Sequence, residues 1–121
     1  MSILKVGIAG FGVVGKKRKS CIDLHPHLKV IAVCDKDFTG VNFDEGISYL
    51  NTYQELLSVD LDILFVCLSN DMASEVTIAG LKNGLHVFCE KPPGRNLREI
   101  EDVIDVEKLH PSQKLMYGFN H

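Results

Sequence analysis

A chain of 121 residues with a formal net charge of −3 can close one hydrophobic core, and it carries no general attraction for nucleic acid or anionic lipid. Its 45% apolar and 24% charged residues are those of an ordinary globular domain, and no stretch is long or apolar enough to span a bilayer as a helix. The opening Met1-Ser2-Ile3-Leu4-Lys5 lacks the layout of a secretion signal. Cys21, Cys34, Cys67 and Cys89 form no CxxC pair, so free thiols in a reducing cytoplasm are expected.

Apolar runs and helix-like runs alternate along the chain. Ile3 to Ala9 reads as a strand, and Val13 to Leu24 as a helix. Between them lies Gly10-Phe11-Gly12-Val13-Val14-Gly15. The next strand, Lys29 to Cys34, delivers Asp35 about 20 residues past the last glycine, the interval of a dinucleotide fingerprint. Each part has a physical task. Gly10 allows the tight strand-to-helix turn, Gly12 lets the backbone approach a pyrophosphate, and Gly15 lets the helix pack closely. The open N–H groups and positive end of the helix suit phosphates. Asp35 can accept hydrogen bonds from both ribose hydroxyls and would repel a 2′-phosphate, which favours NAD over NADP.

The stretch from Asp35 to Gly46 reads as loop, and Ile47 to Leu50 as a short strand. Thr52 and Glu55 form a capping box for a helix through Leu57. Asp62 to Leu68 reads as a buried strand, and Asn70 or Asp71 as the cap of a helix from Met72 to about Asn83, stopped by Gly84. His86 to Cys89 is another strand, ended by Glu90-Lys91-Pro92-Pro93-Gly94. A helix from Leu97 to about His110 and a last strand from Lys114 to Phe119 complete the pattern. The expected architecture is α/β: one Rossmann-type, doubly wound, mainly parallel sheet flanked by helices, spanning residues 1–121. Ligands in such sheets bind beyond the carboxyl ends of the strands. The glycine loop, Asp35, Ser69-Asn70, Glu90-Lys91 and Asn120-His121 each directly follow an apolar run, and they are the candidates for that edge.

Several of these pieces resemble a known family. They are Val6 to Gly15, Val33-Cys34-Asp35, the Tyr53-to-Leu57 helix, Asn83 to Pro92 with its G-x-H-V-x-x-E-K-P run, and Tyr117-Gly118-Phe119-Asn120-His121. Together they are similar to the N-terminal half of the glucose–fructose oxidoreductase, inositol dehydrogenase and rhizopine-catabolism enzymes, the Gfo/Idh/MocA family. The resemblance implies an NAD-dependent oxidoreductase that moves a hydride to or from a sugar, cyclitol or related alcohol. It implies Lys91 as the catalytic residue, where a cation can orient the reacting hydroxyl and favour partial alkoxide charge. Gly10, Phe11, Gly12, Val13, Val14, Gly15, Asp35, Leu68, Ser69, Asn70, Glu90, Lys91 and Asn120 are the expected cofactor-binding residues. Glu90 could pair with Lys91 or hold the nicotinamide riboside. No metal is expected.

The pattern departs from the family in three places. Leu68, Ser69 and Ala73 replace a threonine, a proline and a histidine, while Asn70 matches. Relatives continue past this length into a second α/β domain that supplies the substrate pocket and the dimer surface. The full-length protein is accordingly expected to be a homo-oligomer, and residues 1–121 alone to bind NAD weakly without turnover. A nucleotide-sensing or CoA-binding Rossmann module without catalysis is the alternative.

Other features receive plainer readings. Lys16-Lys17-Arg18-Lys19 reads as a mostly solvated face, because four successive helical residues point in four directions. His25-Pro26-His27 reads as a loop rather than a metal pair. Tyr49, Tyr53 and Phe65 are expected in the core.

Overall fold

In a computed structural model, residues 3–40, 42–90 and 115–118 are described. Strands β1 (Leu4–Ala9), β2 (Leu28–Cys34), β3 (Asn42–Asp44), β4 (Ile47–Leu50), β5 (Ile63–Val66), β6 (His86–Glu90) and β7 (Leu115–Gly118) form one sheet in the order β3-β4-β2-β1-β5-β6-β7. All neighbours pair in parallel except β3 with β4. Helices α1 (Val13–Asp23), α2 (Tyr53–Leu57) and α3 (Asn70–Lys82) cover it. The chain runs outward from β1 through β2, then returns to β5 on the other side of β1. The crevice at the carboxyl ends of β1 and β5 is therefore the switch point where such sheets bind ligands.

The two faces follow from the period-two alternation of the strands. Ala9, Leu64, Val66, Val87 and Cys89 point to the face covered by α2 and α3, where Leu56, Ala73, Val76 and Leu81 are fully buried. Val6, Ile8, Val30 and Val33 point to the opposite face, under Ile22 of α1; Val30 and Val33 share it because the β1–β2 register slips by one residue at Ile31. Close approach of helix to strand is built in at Gly80. A Cβ there would lie 2.7 Å from Leu64 Cδ2.

Among the described residues the expected elements form, with two differences. A short strand, β3, lies inside the stretch read as loop. Asp44 and Ile47 pair across Glu45 (φ 50°) and Gly46 (φ 82°), the two positive-φ positions of a tight hairpin turn. Helix α3 starts earlier than expected: its cap is Ser69, not Asn70 or Asp71. Ser69 has an extended backbone (φ −64°, ψ 161°), and its carbonyl accepts from Met72 and Ala73 N–H, both at 3.0 Å. The helix ends as expected at Gly84 (φ 82°), where Leu85 N–H donates to Gly80 O and Gly84 N–H to Leu81 O. The Thr52–Glu55 capping box on α2 is present in both directions. The expected Leu97–His110 helix lies outside the described residues. Among the described residues no helix is long and apolar enough to cross a membrane.

Candidate functional site

The glycine loop is shaped by two close approaches that a side chain would prevent. Gly10 has φ 93°, and a Cβ there would meet Cys67 O at 2.4 Å. That carbonyl follows β5, so the loop after β1 lies directly against the chain leaving β5. A Cβ on Gly15 would lie 2.1 Å from Gly10 O, so only glycine lets α1 turn back over the loop. A Cβ on Gly12 would meet nothing within 4 Å. Gly12 borders open space, so its bare backbone is free to be approached from the cleft.

Gly12 also caps α1. No side chain accepts from the first-turn N–H groups, and no acidic residue lies in that turn. The first-turn donors and the positive helix end, around Val13, Val14 and Gly15, are thus left for an anion.

Asp35 is locked to this loop. Its Oδ2 accepts from Phe11 N–H at 2.9 Å and its Oδ1 from Asp37 N–H at 3.0 Å. Each carboxylate oxygen keeps further acceptor capacity for ribose hydroxyls. The turn after β2 is braced from β4. Asp35 N–H donates to Leu50 O, and Asn51 Nδ2 donates to Lys36 O and Phe38 O at 3.1 and 2.7 Å. The rings of Phe11, Phe38 and Tyr49 pack together beneath it, with centroids 5.6–6.4 Å apart.

A cleft of about 720 Å³ opens at this edge. Gly10 and Gly12 line it from the loop, Asp35 and Lys36 from the end of β2, and Asn51 to Gln54 from the start of α2. Leu68, Ser69, Asp71, Met72 and Glu75 close the far side. Of the expected cofactor residues, Gly10, Gly12, Asp35, Leu68 and Ser69 thus share one cleft. Phe11, Val13, Val14 and Gly15 belong to the loop and first helical turn beside it, and Asn70 is the first residue of α3. Lys91 and Asn120 lie outside the described residues. Of the three departures from the family, Ser69 hydrogen-bonds Asp71 through its hydroxyl, Leu68 is half-buried in the wall, and Ala73 is fully buried in the core.

Glu90 lies elsewhere. It is 4% exposed at the end of β6 and does not line the cleft. Its Oε1 accepts from Arg18 Nε, and its Oε2 has no hydrogen-bond partner among the described residues. The Arg18 guanidinium also stacks over Phe88, 4.8 Å from the ring centroid, and the bond to Glu90 raises its pKa further. The basic run is therefore divided. Lys16 and Lys17 are exposed and Lys19 pairs with Asp23, but Arg18 turns inward. Only one of four successive helical directions meets the sheet, and Arg18 occupies it.

Sequence reasoning also missed the part played by Tyr53. Its ring packs against the core as expected, yet it lines the cleft, and its hydroxyl donates to Glu75 Oε2 at 2.7 Å. That bond raises the Tyr53 pKa.

The thiols stay structural. Burial pushes Cys67 up to about 12 and Cys34 up to about 11, so neither is a poised nucleophile. His25 and His27 touch ring to ring in a loop, and among the described residues no group of His, Cys, Asp and Glu could hold a metal ion.

A mainly parallel sheet with a glycine loop at its switch point, an open helix end and an acid after β2 held against that loop is the architecture of a dinucleotide-binding Rossmann domain. Residues 4–119 match the model of the Gfo/Idh/MocA oxidoreductase family, NAD-binding Rossmann fold, and the chain belongs to that family. It is 29% identical over 119 residues to the uncharacterized oxidoreductase YrbE of Bacillus subtilis, covering 94% of this chain and 35% of that protein. It is 29% identical over 126 residues to the D-glucoside 3-dehydrogenase of Escherichia coli, covering 99% of this chain and 36% of the enzyme. The structure of myo-inositol 2-dehydrogenase from Lactobacillus plantarum superposes with a TM-score of 0.84 at 25% identity, over 97% of this chain and 36% of that one. The chain thus spans little more than a third of the length of these relatives.

Proposed function

We propose that this domain binds NAD in preference to NADP, and that the protein it serves oxidises or reduces an alcohol carbon of a sugar or cyclitol. The observation that carries the reading is the Phe11–Asp35 bond. It fixes the ribose-binding acid against the same loop that leaves Gly12 open and the α1 N–H groups free.

NAD, when bound, supplies the hydride acceptor. The residues present fit it. The α1 N-terminus and the bare Gly12 backbone would hold the pyrophosphate, and Asp35 the adenosine ribose. The carboxylate would oppose a 2′-phosphate at the same place. Leu68 and Ser69 would wall the path toward the end of β6. Lys91, directly after β6, would orient the substrate hydroxyl and balance its developing negative charge. The substrate class follows from relatives that act on a D-glucoside and on inositol.

Calorimetric titration with NAD and NADP tests the cofactor reading. NAD should bind more tightly, and Asp35→Asn, which keeps one acceptor for Phe11 but removes the charge, should narrow the gap. Equal affinities in the parent protein would overturn the role given to Asp35.

A further inference from the structure

The cleft beside Asp35 continues away from the glycine loop into the space between the start of α2 and the first turns of α3, which is open to the base of an adenosine held at Asp35 by its ribose. Thr52, Tyr53, Met72 and Glu75 border that space. Here Tyr53, 22 residues before Glu75 in sequence, donates its hydroxyl hydrogen to Glu75 Oε2. One oxygen of an exposed side chain is thereby tied down on the cleft wall, and Oε1 remains as an acceptor.

We propose that Glu75, held by Tyr53, reads the purine of the bound dinucleotide and selects a 6-amino group over a 6-oxo group. The inference rests on the nucleotide reading above. A carboxylate only accepts hydrogen bonds. The exocyclic amine of adenine donates, so the two groups match. Hypoxanthine presents a carbonyl at the same position, and two acceptors then face each other. A freely rotating carboxylate could escape by shifting to the neighbouring ring N–H of hypoxanthine, and the Tyr53 bond removes that freedom. Met72 offers the apolar contact for the ring itself.

The probes are NAD and nicotinamide hypoxanthine dinucleotide, titrated separately into the purified protein. The parent should bind NAD roughly tenfold more tightly, the scale of one hydrogen bond to a charged group at a partly open site. Glu75→Gln can donate as well as accept, so its preference should fall close to unity. Tyr53→Phe keeps the ring and frees the carboxylate, and its preference should lie between the two. A Tyr53–Glu75 bond that only straps α2 to α3 would behave differently. Tyr53→Phe would then melt earlier while the preference stayed at the parent's value, and that outcome overturns the proposal. So does a parent that binds both dinucleotides alike. A protein that binds neither overturns the nucleotide reading itself, and this inference with it.

Discussion

The two faces of the sheet are built differently. Under α2 and α3 the core is closed: Leu56, Leu64, Val66, Val76 and Leu81 are all fully buried. Under α1, past the edge of that helix, Phe65 and Phe88 stack with centroids 5.0 Å apart yet remain half-buried. There, among the described residues, Arg18 lies over Phe88 and reaches Glu90. One face is apolar packing out to its edge. On the other, the apolar cluster under Ile22 gives way toward β6 to a half-buried ion pair, just before Lys91 in sequence. Ion pairs of this kind serve positioning better than stability, because desolvation offsets most of the attraction.

The largest expected effect breaks the contrast directly. Leu64→Ala should cost about 4 kcal/mol in urea unfolding, since it empties a site packed against Gly80, whereas Phe65→Ala should cost about 2 kcal/mol although it deletes a larger side chain. Equal losses would mean that both faces are equally closed.

Next in size is Arg18→Met. The substitution keeps an aliphatic stem on Phe88 but strands a carboxylate whose other oxygen has no partner among the described residues. A loss of about 2 kcal/mol is expected, discounted for the partial exposure of Arg18, and Arg18→Met with Glu90→Leu should regain most of it. A double variant no better than the single one would show that the pair is not the cover of this face.

The smallest effect is a pH dependence. Cys67 stands on the α1 side and Cys34 at the end of β2, and burial raises both from an ordinary value of 9.0, to about 12 and about 11. A thiol whose folded pKa is raised contributes its full stability below the unfolded value and loses it as pH rises toward the folded one. Stability should therefore fall from about pH 9 upward, and Cys67→Ala should flatten the decline in urea midpoints measured from pH 8 to 10.5. An unchanged slope would place the responsible group elsewhere.

Much of this molecule is local chemistry, and local chemistry is readable along the chain. The glycine loop, the acid after β2, the Thr52–Glu55 box and the Gly84 stop each depend on a few neighbouring residues whose geometry leaves little choice. The start of α3 was displaced because Ser69, Asn70 and Asp71 are all competent caps, and the end of β5 decides among them. Strand β3 was hidden because three exposed residues carry no apolar alternation; only pairing with β4 defines it.

By itself, then, the sequence determined the alternation of elements, the glycine loop and the presence of an acid after β2. These rest on spacing along the chain and on an apolar period that only one fold class satisfies. Tertiary structure alone decided that Arg18 leaves its basic run for Glu90, that Tyr53 clasps Glu75, and that Asp35 is tied to Phe11. Those partners lie 72, 22 and 24 residues apart. Polar side chains carry no periodic signal for such meetings, which follow only from how the crossovers bring the strand ends together.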